Sequence, residues 1–261
     1  MTVESDGAWD AFASLTTMFY AAARPAGARV ADGWFAALSD APNCELNVCG
    51  LNRRATRDSA AELAAVLGDE LPAIIFVSEN APDDARAVLG EALFTAAATA
   101  EPLMRCEHRP SAPEGPFRIA PASSTREIGI AVALTAEAHE VEQAMLAETI
   151  GVAAREGLAQ IWLAWDDEDP VSALWLVQTG ATIGLMELMT PERHQRRGAG
   201  RRLLTTALAE TWTRHTRQAV LLSTPAGRRL YESVGFTTVD ESITWTRGAD
   251  DAMLLAIGQA I

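Results

Sequence analysis

The stretch that decides the fold reads Pro191-Glu192-Arg193-His194-Gln195-Arg196-Arg197-Gly198-Ala199-Gly200-Arg201-Arg202-Leu203-Leu204. The residues before it predict a strand that ends at Thr190, and the leucine spacing after it predicts a helix from Arg201 to about His215. Glycines at 198 and 200 let the backbone approach a ligand and turn its N–H groups toward it. Because a helix N-terminus adds free N–H donors and a positive dipole end, this stretch predicts an anion site.

Arginine side chains crowd the start of this predicted helix, at positions 196, 197, 201 and 202. The helix dipole disfavours cations there by roughly 0.3–1 kcal/mol each, and a local rule broken this often marks function. Residues 193–229 contain nine arginines and one acid, a local net charge of +8 within a chain of net charge −14. A bound polyanion such as a pyrophosphate would compensate this charge, and a solvated basic helix face is the alternative.

The composition of the whole chain excludes several classes of function. None of the 261 residues is lysine, which excludes a P-loop, a kinase-type lysine and a lysine Schiff base. The acidic net charge argues against general affinity for nucleic acid or anionic membranes. The three cysteines lack C-x-x-C spacing, so we expect no disulfide framework, no metal site and a reducing cytoplasm. The chain also lacks a signal-peptide pattern and an apolar run that could span a bilayer.

The second half of the chain has the pattern of an α/β domain. Residues 171–177 and 181–190 flank Thr179-Gly180, which is typical of an antiparallel hairpin. Further predicted elements are a mostly helical region at 126–156, strands at 161–165 and 219–223, a helix at 225–234 ended by Gly235, and two closing strands at 236–239 and 242–246. For residues 126–134 a strand is the alternative.

The first half predicts a smaller α/β unit. Its predicted elements are helices at 7–24, 34–38, 60–67 and 84–90, and strands at 45–51 and 73–78. Residues 109–121 contain four prolines and a glycine, a composition typical of a linker. We therefore expect an N-terminal domain at 1–110, a linker at 111–121, a second domain at 117–247 and a tail at 248–261 that can form a terminal helix.

Two motifs in the second half resemble those of one family. Residues 195–200 fit the pattern Gln/Arg-x-x-Gly-x-Gly/Ala, and Leu230-Tyr231-Glu232 with Gly235-Phe236 follows at a matching distance. In this combination the chain resembles the GNAT superfamily of acyl-CoA-dependent N-acetyltransferases, over about residues 117–247. The resemblance implies an α/β (α+β) fold, with a mixed central sheet flanked by helices and with its fourth and fifth strands splayed apart. The first half more faintly resembles the degenerate domain of tandem GNAT proteins, which implies a non-catalytic unit that shapes the substrate cleft; a plain scaffold is the alternative.

The same resemblance implies that acetyl-CoA is the co-substrate and names the residues that would bind it. The pantetheine arm would pair with the end of the fourth strand, and the pyrophosphate would lie on the glycine loop. These residues are Leu188, Met189, Thr190, Gln195, Arg196, Arg197, Gly198, Ala199, Gly200, Arg201 and Thr224. For Ser223 or Thr224, capping of the next helix is the alternative role.

For the chemistry, the resemblance implies that Tyr231 protonates the departing thiolate and that a backbone N–H near Met189 stabilises the oxyanion. Glu187, on the predicted fourth strand, is the first candidate for the general base, although it could equally face solvent. His139, Glu140 and Glu142 are weaker candidates, on a helical segment that borders the acceptor site in this family.

The sequence thus predicts an N-acetyltransferase that acts on a primary amine of a small molecule. The acidic remainder of the chain gives a weak preference for a cationic acceptor. Two alternatives stay open: a non-catalytic acyl-CoA-binding regulatory module, and a transferase with another donor such as aminoacyl-tRNA. We expect no nucleic-acid or membrane partner, and homodimer formation is left open.

Overall fold

A computed structural model describes residues 3–112 and 114–249, so that most of the predicted tail lies outside the described residues. The strands are β1 (Ala28–Ala31), β2 (Trp34–Leu38), β3 (Asn47–Leu51), β4 (Ala73–Ser78), β5 (Thr95–Cys106), β6 (Arg118–Pro121), β7 (Ala159–Asp166), β8 (Asp169–Thr179), β9 (Thr182–Met189), β10 (Gln218–Leu222) and β11 (Thr237–Arg247). The helices are α1 (Val3–Tyr20), α2 (Arg57–Leu67), α3 (Asp83–Glu91), α4 (Thr125–His139), α5 (Gln143–Glu148), α6 (Ile150–Arg155), α7 (Ala199–Thr211) and α8 (Arg228–Glu232).

The strands form one mixed sheet in the order β1-β2-β3-β4-β11-β5-β10-β9-β8-β7-β6. The predicted hairpin is confirmed: β8 and β9 pair in antiparallel fashion around Gly180, whose φ of 53° is the left-handed conformation that glycine supplies at low cost. Helix α7 packs its leucine face against the sheet, and Leu203, Leu204 and Leu208 are fully buried there. This is the mixed, helix-flanked sheet that the sequence predicted.

Strands β9 and β10 separate halfway along their length. They pair in parallel from Gln218↔Thr182 to Val220↔Gly184, and the pairing stops there. Beyond that point β9 continues to Met189 on its partner β8, while β10 continues to Leu222 on its other partner, β5. The predicted splay of the fourth and fifth strands of the domain is therefore confirmed, and it opens a gap at the C-terminal ends of β9 and β10.

One element of the first half was predicted wrongly. Residues 34–38 form strand β2, not a helix, and all five are buried between β1 and β3. A strand that is covered on both faces is apolar at every position. The alternation of apolar and polar residues, by which a strand is distinguished from a helix, is therefore missing.

The closing segment of the chain also differs from its prediction. Two strands were expected, but β11 is one continuous strand that is interrupted by register shifts against β5. The first shift lies between Thr238 and Asp240, where a break was predicted, because a β-bulge disturbs the pattern of a strand without ending it. Helix α8 is shorter than predicted, since residues 224–227 form a turn before it.

Strand β5 joins the two halves of the sheet. It lies between β10 and β11, and pairs with both in antiparallel fashion. Sequence reasoning missed this strand because its first half is rich in alanine and its centre contains Pro102. The division of the chain into domains stays a prediction, since the hydrogen bonding of the sheet runs through from one half to the other.

Helix α1 crosses the same sheet from β1 to β8. Near its start, the indole Nε1 of Trp9 donates to the buried carboxylate of Asp240 at 2.7 Å, and Ser78 and Asn80 donate to the same carboxylate. At its other end, Phe19 packs edge-on against Trp175 of β8. This path brings the last residue of α1 to the gap beside β9. Within the described ranges, no helix has both the length and the apolar character to cross a membrane.

Candidate functional site

The glycine loop lies at the open end of the gap between β9 and β10. A short turn, Glu192–His194, follows β9, and α7 begins at Ala199. Gln195 fastens the loop to the strand, because its side-chain Nε2 donates to the carbonyl of Thr190 at 3.1 Å. Sequence and fold therefore place the predicted anion site directly beside the gap.

The loop presents a run of free backbone donors. The N–H groups of Gln195 and Arg202 donate to carbonyls within the loop. Between them, the N–H groups of residues 196–201 have no acceptor among the described residues, and no side chain caps α7. Six consecutive unused donors at a helix N-terminus form a cradle suited to an anion with several oxygens.

Two left-handed residues shape this cradle. Arg196 has a φ of 60° and Gly198 a φ of 85°, and a Cβ added to Gly198 would meet nothing within 4 Å. Gly200 is different, since a Cβ there would lie 3.0 Å from Thr190 Oγ1. Gly198 thus leaves open space in front of the N–H groups, whereas Gly200 allows the first turn of α7 to pack against the end of β9.

The four arginines of the loop divide into two pairs. Arg197 forms an ion pair with Asp166, and Arg202 donates to the carbonyl of Phe117 at 2.9 Å, so both hold neighbouring chain in place. Arg196 makes no ion pair or hydrogen bond with the described residues, and Arg201 makes only a 3.4 Å contact to the carbonyl of Ser233. The second pair is therefore available to an anion, while the first has structural partners that the sequence did not reveal.

A cleft of about 600 Å³ lies next to the cradle, between α7 and the residues that follow α8. Its lining residues are Pro110, Ser111, Arg201, Thr205, Ser233 and Val234. A volume of this size is in the range of small-molecule and cofactor pockets.

At the inner end of the gap, a bulge in β9 positions Glu187. Trp175 of β8 pairs with Glu187 and the next residue, Leu176, pairs with Leu185, so Met186 is an extra residue in β9. Bulges of this kind redirect side chains and are frequent beside active sites. Glu187 is 8% exposed, which settles the alternative left open by the sequence: its side chain does not face solvent.

Both carboxylate oxygens of Glu187 accept hydrogen bonds. The hydroxyl of Tyr20, the last residue of α1, donates to Oε1 at 2.6 Å. His139 Nε2, at the end of α4, lies 3.2 Å from Oε2. The other ring nitrogen of His139, Nδ1, lies 3.1 Å from Oε2 of Glu45. The four side chains form a chain of contacts, here called the Glu187 network, with two members from each half of the protein.

The charges of the Glu187 network support one protonation state. Burial opposes a charge on His139, but the two carboxylates beside its ring outweigh this effect and raise the pKa of His139 well above its ordinary value. Burial and the Glu187 carboxylate likewise raise the pKa of Tyr20 well above its ordinary value. His139 is therefore a cation between two carboxylates at neutral pH, and Tyr20 stays protonated.

Tyr231 lies on α8, on the β10 side of the gap. Its ring packs edge-on against Phe236, with centroids 5.9 Å apart, and its hydroxyl has no hydrogen-bond partner among the described residues. Burial, followed by the charge of Glu187, raises the pKa of Tyr231 above its usual value near 10. The hydroxyl therefore carries its proton throughout the neutral range.

The remaining predicted residues lie around this gap. Leu188 and Met189 pair with β8, and Ser172 of that strand donates to the carbonyl of Met189 at 2.7 Å. Thr224 Oγ1 accepts from the N–H of Gly227 at 3.2 Å, within the turn that precedes α8, and no described side chain caps α8 itself. Glu140, in the left-handed conformation, ends α4, and Glu142 precedes α5; both side chains are exposed.

Sequence reasoning missed Tyr20 and Glu45. Their contacts join residues that are 167 and 94 positions apart, counted to Glu187 and to His139. No local pattern marks them; the only available signal was that the chain contains just two tyrosines.

The described residues of the first half contain no equivalent of the gap. Its parallel strands β3 and β4 stay paired from Val48↔Ile74 to Leu51↔Val77. The arginines after β3 are also neutralised, since Arg53 pairs with Asp6, and Arg54 pairs with acids that include Asp32 at 2.9 Å. One gap with one N–H cradle is thus found in the described residues, and it lies in the second half.

The pKa of His139 predicts how stability depends on pH. Below about pH 6.5, the ordinary pKa of histidine, the ring is protonated in both the folded and the unfolded protein. Its two ion pairs then contribute fully to the free energy of unfolding. This contribution is lost as pH rises through the raised pKa of the folded protein. We expect calorimetry to give a difference in Tm between the wild type and His139→Gln that is largest near pH 6 and shrinks as the pH rises through the raised pKa of His139. A difference independent of pH would contradict the charged ring, and exposed His215→Gln is the control.

Comparison with known proteins gives one family match by sequence. The sequence model of a family described as an acetyltransferase (GNAT) domain matches residues 121–248. No curated protein matches the chain.

Several solved structures share the fold. The chain is similar to a GCN5-related N-acetyltransferase from Kribbella flavida, with 17% identity, a TM-score of 0.61, and coverage of 90% of this chain and 96% of that one. A GCN5-related N-acetyltransferase from Sphaerobacter thermophilus gives 12% identity and a TM-score of 0.54, with 82% and 76% covered. A tandem GNAT protein from the clavulanic acid biosynthesis pathway shows 13% identity and a TM-score of 0.53, and the match covers 93% of this chain and 96% of that one. At these identities the likeness is one of fold.

Proposed function

Because this chain belongs to the GNAT acetyltransferases through residues 121–248, we propose that it transfers the acetyl group of acetyl-CoA to a primary amine of a small molecule. One observation carries the proposal: the six free N–H groups of residues 196–201 lie at one end of the gap, and Glu187 lies at the other. A long donor with a pyrophosphate and a reactive thioester matches a site with an anion cradle and a buried carboxylate.

The residues around the cradle suit the nucleotide end of the donor. Arg196 and Arg201 supply positive charge beside the N–H groups, and charge-assisted hydrogen bonds to phosphate are among the stronger ones in proteins. The 600 Å³ cleft beside Arg201 gives room for the adenosine part. The edge of β9 from Leu185 to Met189 faces the gap without a strand partner, and the pantetheine amides would pair with it as an added strand.

The reaction itself requires three proton and charge movements. The amine loses a proton as its nitrogen attacks the thioester carbonyl, and Glu187 receives that proton directly or through a water molecule. A backbone N–H of β9 near Met189 stabilises the oxyanion. When the C–S bond breaks, Tyr231 donates its proton to the coenzyme sulfur, so that the products are an acetamide and the free thiol. Glu187 then releases its proton to solvent, and Tyr231 takes one up from solvent before the next turnover.

The acceptor end of the gap carries two carboxylates, Glu187 and Glu45, against one cation, His139. This local excess of negative charge favours an acceptor that is itself cationic, such as a diamine or an amino sugar. The negative charge of the rest of the chain favours a cationic acceptor as well.

Substitution of Gly198 tests the cradle. In Gly198→Ala the new methyl group occupies the space in front of the N–H groups, and we expect the Kd for acetyl-CoA in calorimetric titrations to rise about tenfold, the loss of one charge-assisted hydrogen bond. Gly157→Ala is the matched control, since Gly157 also has a positive φ, 71°, and open space around its Cβ position. Both variants lose stability through backbone strain, but only the first loses affinity. Equal affinities would place the coenzyme elsewhere.

The activity is tested by thiol release from acetyl-CoA in the presence of a panel of primary amines. We expect release that depends on the amine and is highest for cationic ones. Coenzyme binding without thiol release for any amine would favour a regulatory acyl-CoA-binding module. Absence of coenzyme binding would favour another donor, such as aminoacyl-tRNA.

A further inference from the structure

The first half of the chain contributes two side chains to the network around Glu187. Tyr20 comes from α1, and Glu45 comes from the short turn Cys44–Leu46 before β3. Among its described residues, this half has neither an equivalent gap nor a run of six free N–H groups. Helix α1 packs on β9, and the side chains of Tyr20 and Glu45 reach Glu187 and His139.

The position of Glu45 is fixed by the backbone around it. The side chain of Asn43 accepts from the N–H of Glu45 at 2.8 Å and caps the turn. Asn47, fully buried, donates to the carbonyls of Ala41, Asn43 and Pro72. Its amide oxygen accepts from two further N–H groups, of residues 39 and 40. A buried amide with this many partners makes the turn rigid, so the carboxylate of Glu45 is presented from a fixed base.

The position of His139 is fixed from the other half. Helix α4 ends at this residue, because Glu140 adopts a left-handed conformation with a φ of 54° and turns the chain away. A protonated histidine in the last turn of a helix also interacts favourably with the helix dipole. Its ring then has one nitrogen at each of two carboxylates, 3.1 Å from Glu45 and 3.2 Å from Glu187. The orientation of the ring is thereby determined by both halves together.

We propose that Glu45 is a positioning residue of the active site, which holds His139 so that His139 in turn holds the Glu187 carboxylate at the gap. This inference rests on the proposed function. The side chains of Glu45 and His139 are 25% and 24% exposed, whereas Glu187 is nearly enclosed, so the network runs from the surface of the first half to the buried carboxylate. The second half alone therefore lacks part of its acceptor site.

A residue that acts only through another has a clear signature in a double-mutant cycle. The variants are Glu45→Ala, His139→Ala and the double variant, measured by thiol release with the best amine of the panel. We expect His139→Ala to lower kcat at least tenfold and Glu45→Ala about fivefold, at an unchanged KM for acetyl-CoA. The double variant should be no slower than His139→Ala. Glu45→Gln, which still accepts from Nδ1–H, should recover most of the kcat that Glu45→Ala loses.

Several outcomes would overturn the proposal. The proposal is wrong if Glu45→Ala keeps the wild-type kcat. It is also wrong if the fold-loss of kcat in the double variant equals the product of the losses in the two single variants. Glu70→Gln, an exposed change on the same half, is the control, and coenzyme affinity with Tm shows that each variant is folded. If His139→Ala fails to fold, the comparison of Glu45→Ala with Glu45→Gln is used alone. Recovery of kcat in Glu45→Gln supports the proposal, and equal kcat values in the two variants contradict it. A wild type that acetylates no amine refutes the proposed function and this role with it, whereas an active wild type with unaffected variants refutes this role only.

Discussion

Replacement of Glu187 by glutamine is expected to lower kcat with the best amine by about 10²–10³-fold, the range of a lost general base. Glutamine nearly matches glutamate in volume but cannot take up the proton of the attacking amine. It also gives the network an amide NH₂ where both Tyr20 and His139 donate, so one of these contacts is lost. The rate is measured by thiol release under saturating acetyl-CoA.

The affinity for acetyl-CoA should change little in Glu187→Gln, since the N–H cradle lies at the other end of the gap. This separation distinguishes a chemical role from a collapse of the site. Glu70→Gln, which makes the same chemical change at an exposed position, should retain the wild-type kcat. If Glu187→Gln stays within about twofold of the wild type, Glu187 is not the base.

Replacement of Tyr231 by phenylalanine is expected to lower kcat at least tenfold. The edge-on contact with Phe236 needs only the ring, so packing is preserved while the hydroxyl that donates to the sulfur is lost. The Kd for acetyl-CoA should stay within about twofold.

Two further measurements sharpen this test. Tyr20→Phe removes the hydroxyl that donates to Glu187 and leaves the donor to the departing sulfur unchanged, so any rate that it loses should not be recovered by a better thiol leaving group. For Tyr231→Phe, a donor with a better thiol leaving group should recover part of the lost rate, since it needs less help from an acid. An unchanged kcat in Tyr231→Phe would remove this residue from the mechanism.

The parts of the site that are local in sequence could be predicted from it. The loop from Gln195 to Gly200 was found because glycines, arginines and a helix start lie next to one another, and each has a stated physical consequence. Tyr231 was found through a resemblance to a family, and Glu187 through its place on the strand before the loop.

The parts that depend on tertiary contacts could not be predicted. Tyr20 reaches Glu187 only because α1 crosses the sheet as far as β8, and Glu45 reaches His139 only because its turn lies just before β3. The structural roles of Arg197 and Arg202 depend in the same way on Asp166 and Phe117, which lie far away in sequence. In the first half, complete burial of residues 34–38 removed the alternation by which a strand is recognised.

Acetyl transfer at the gap is tested most directly by incubating the protein with acetyl-CoA that carries a deuterated acetyl group, together with a panel of small primary amines. Mass spectrometry then follows both products. The proposed function predicts one labelled acetamide for each molecule of free coenzyme thiol, fastest for cationic amines and strongly reduced in Glu187→Gln and Tyr231→Phe. Coenzyme that binds at the cradle and leaves every amine unlabelled would contradict it.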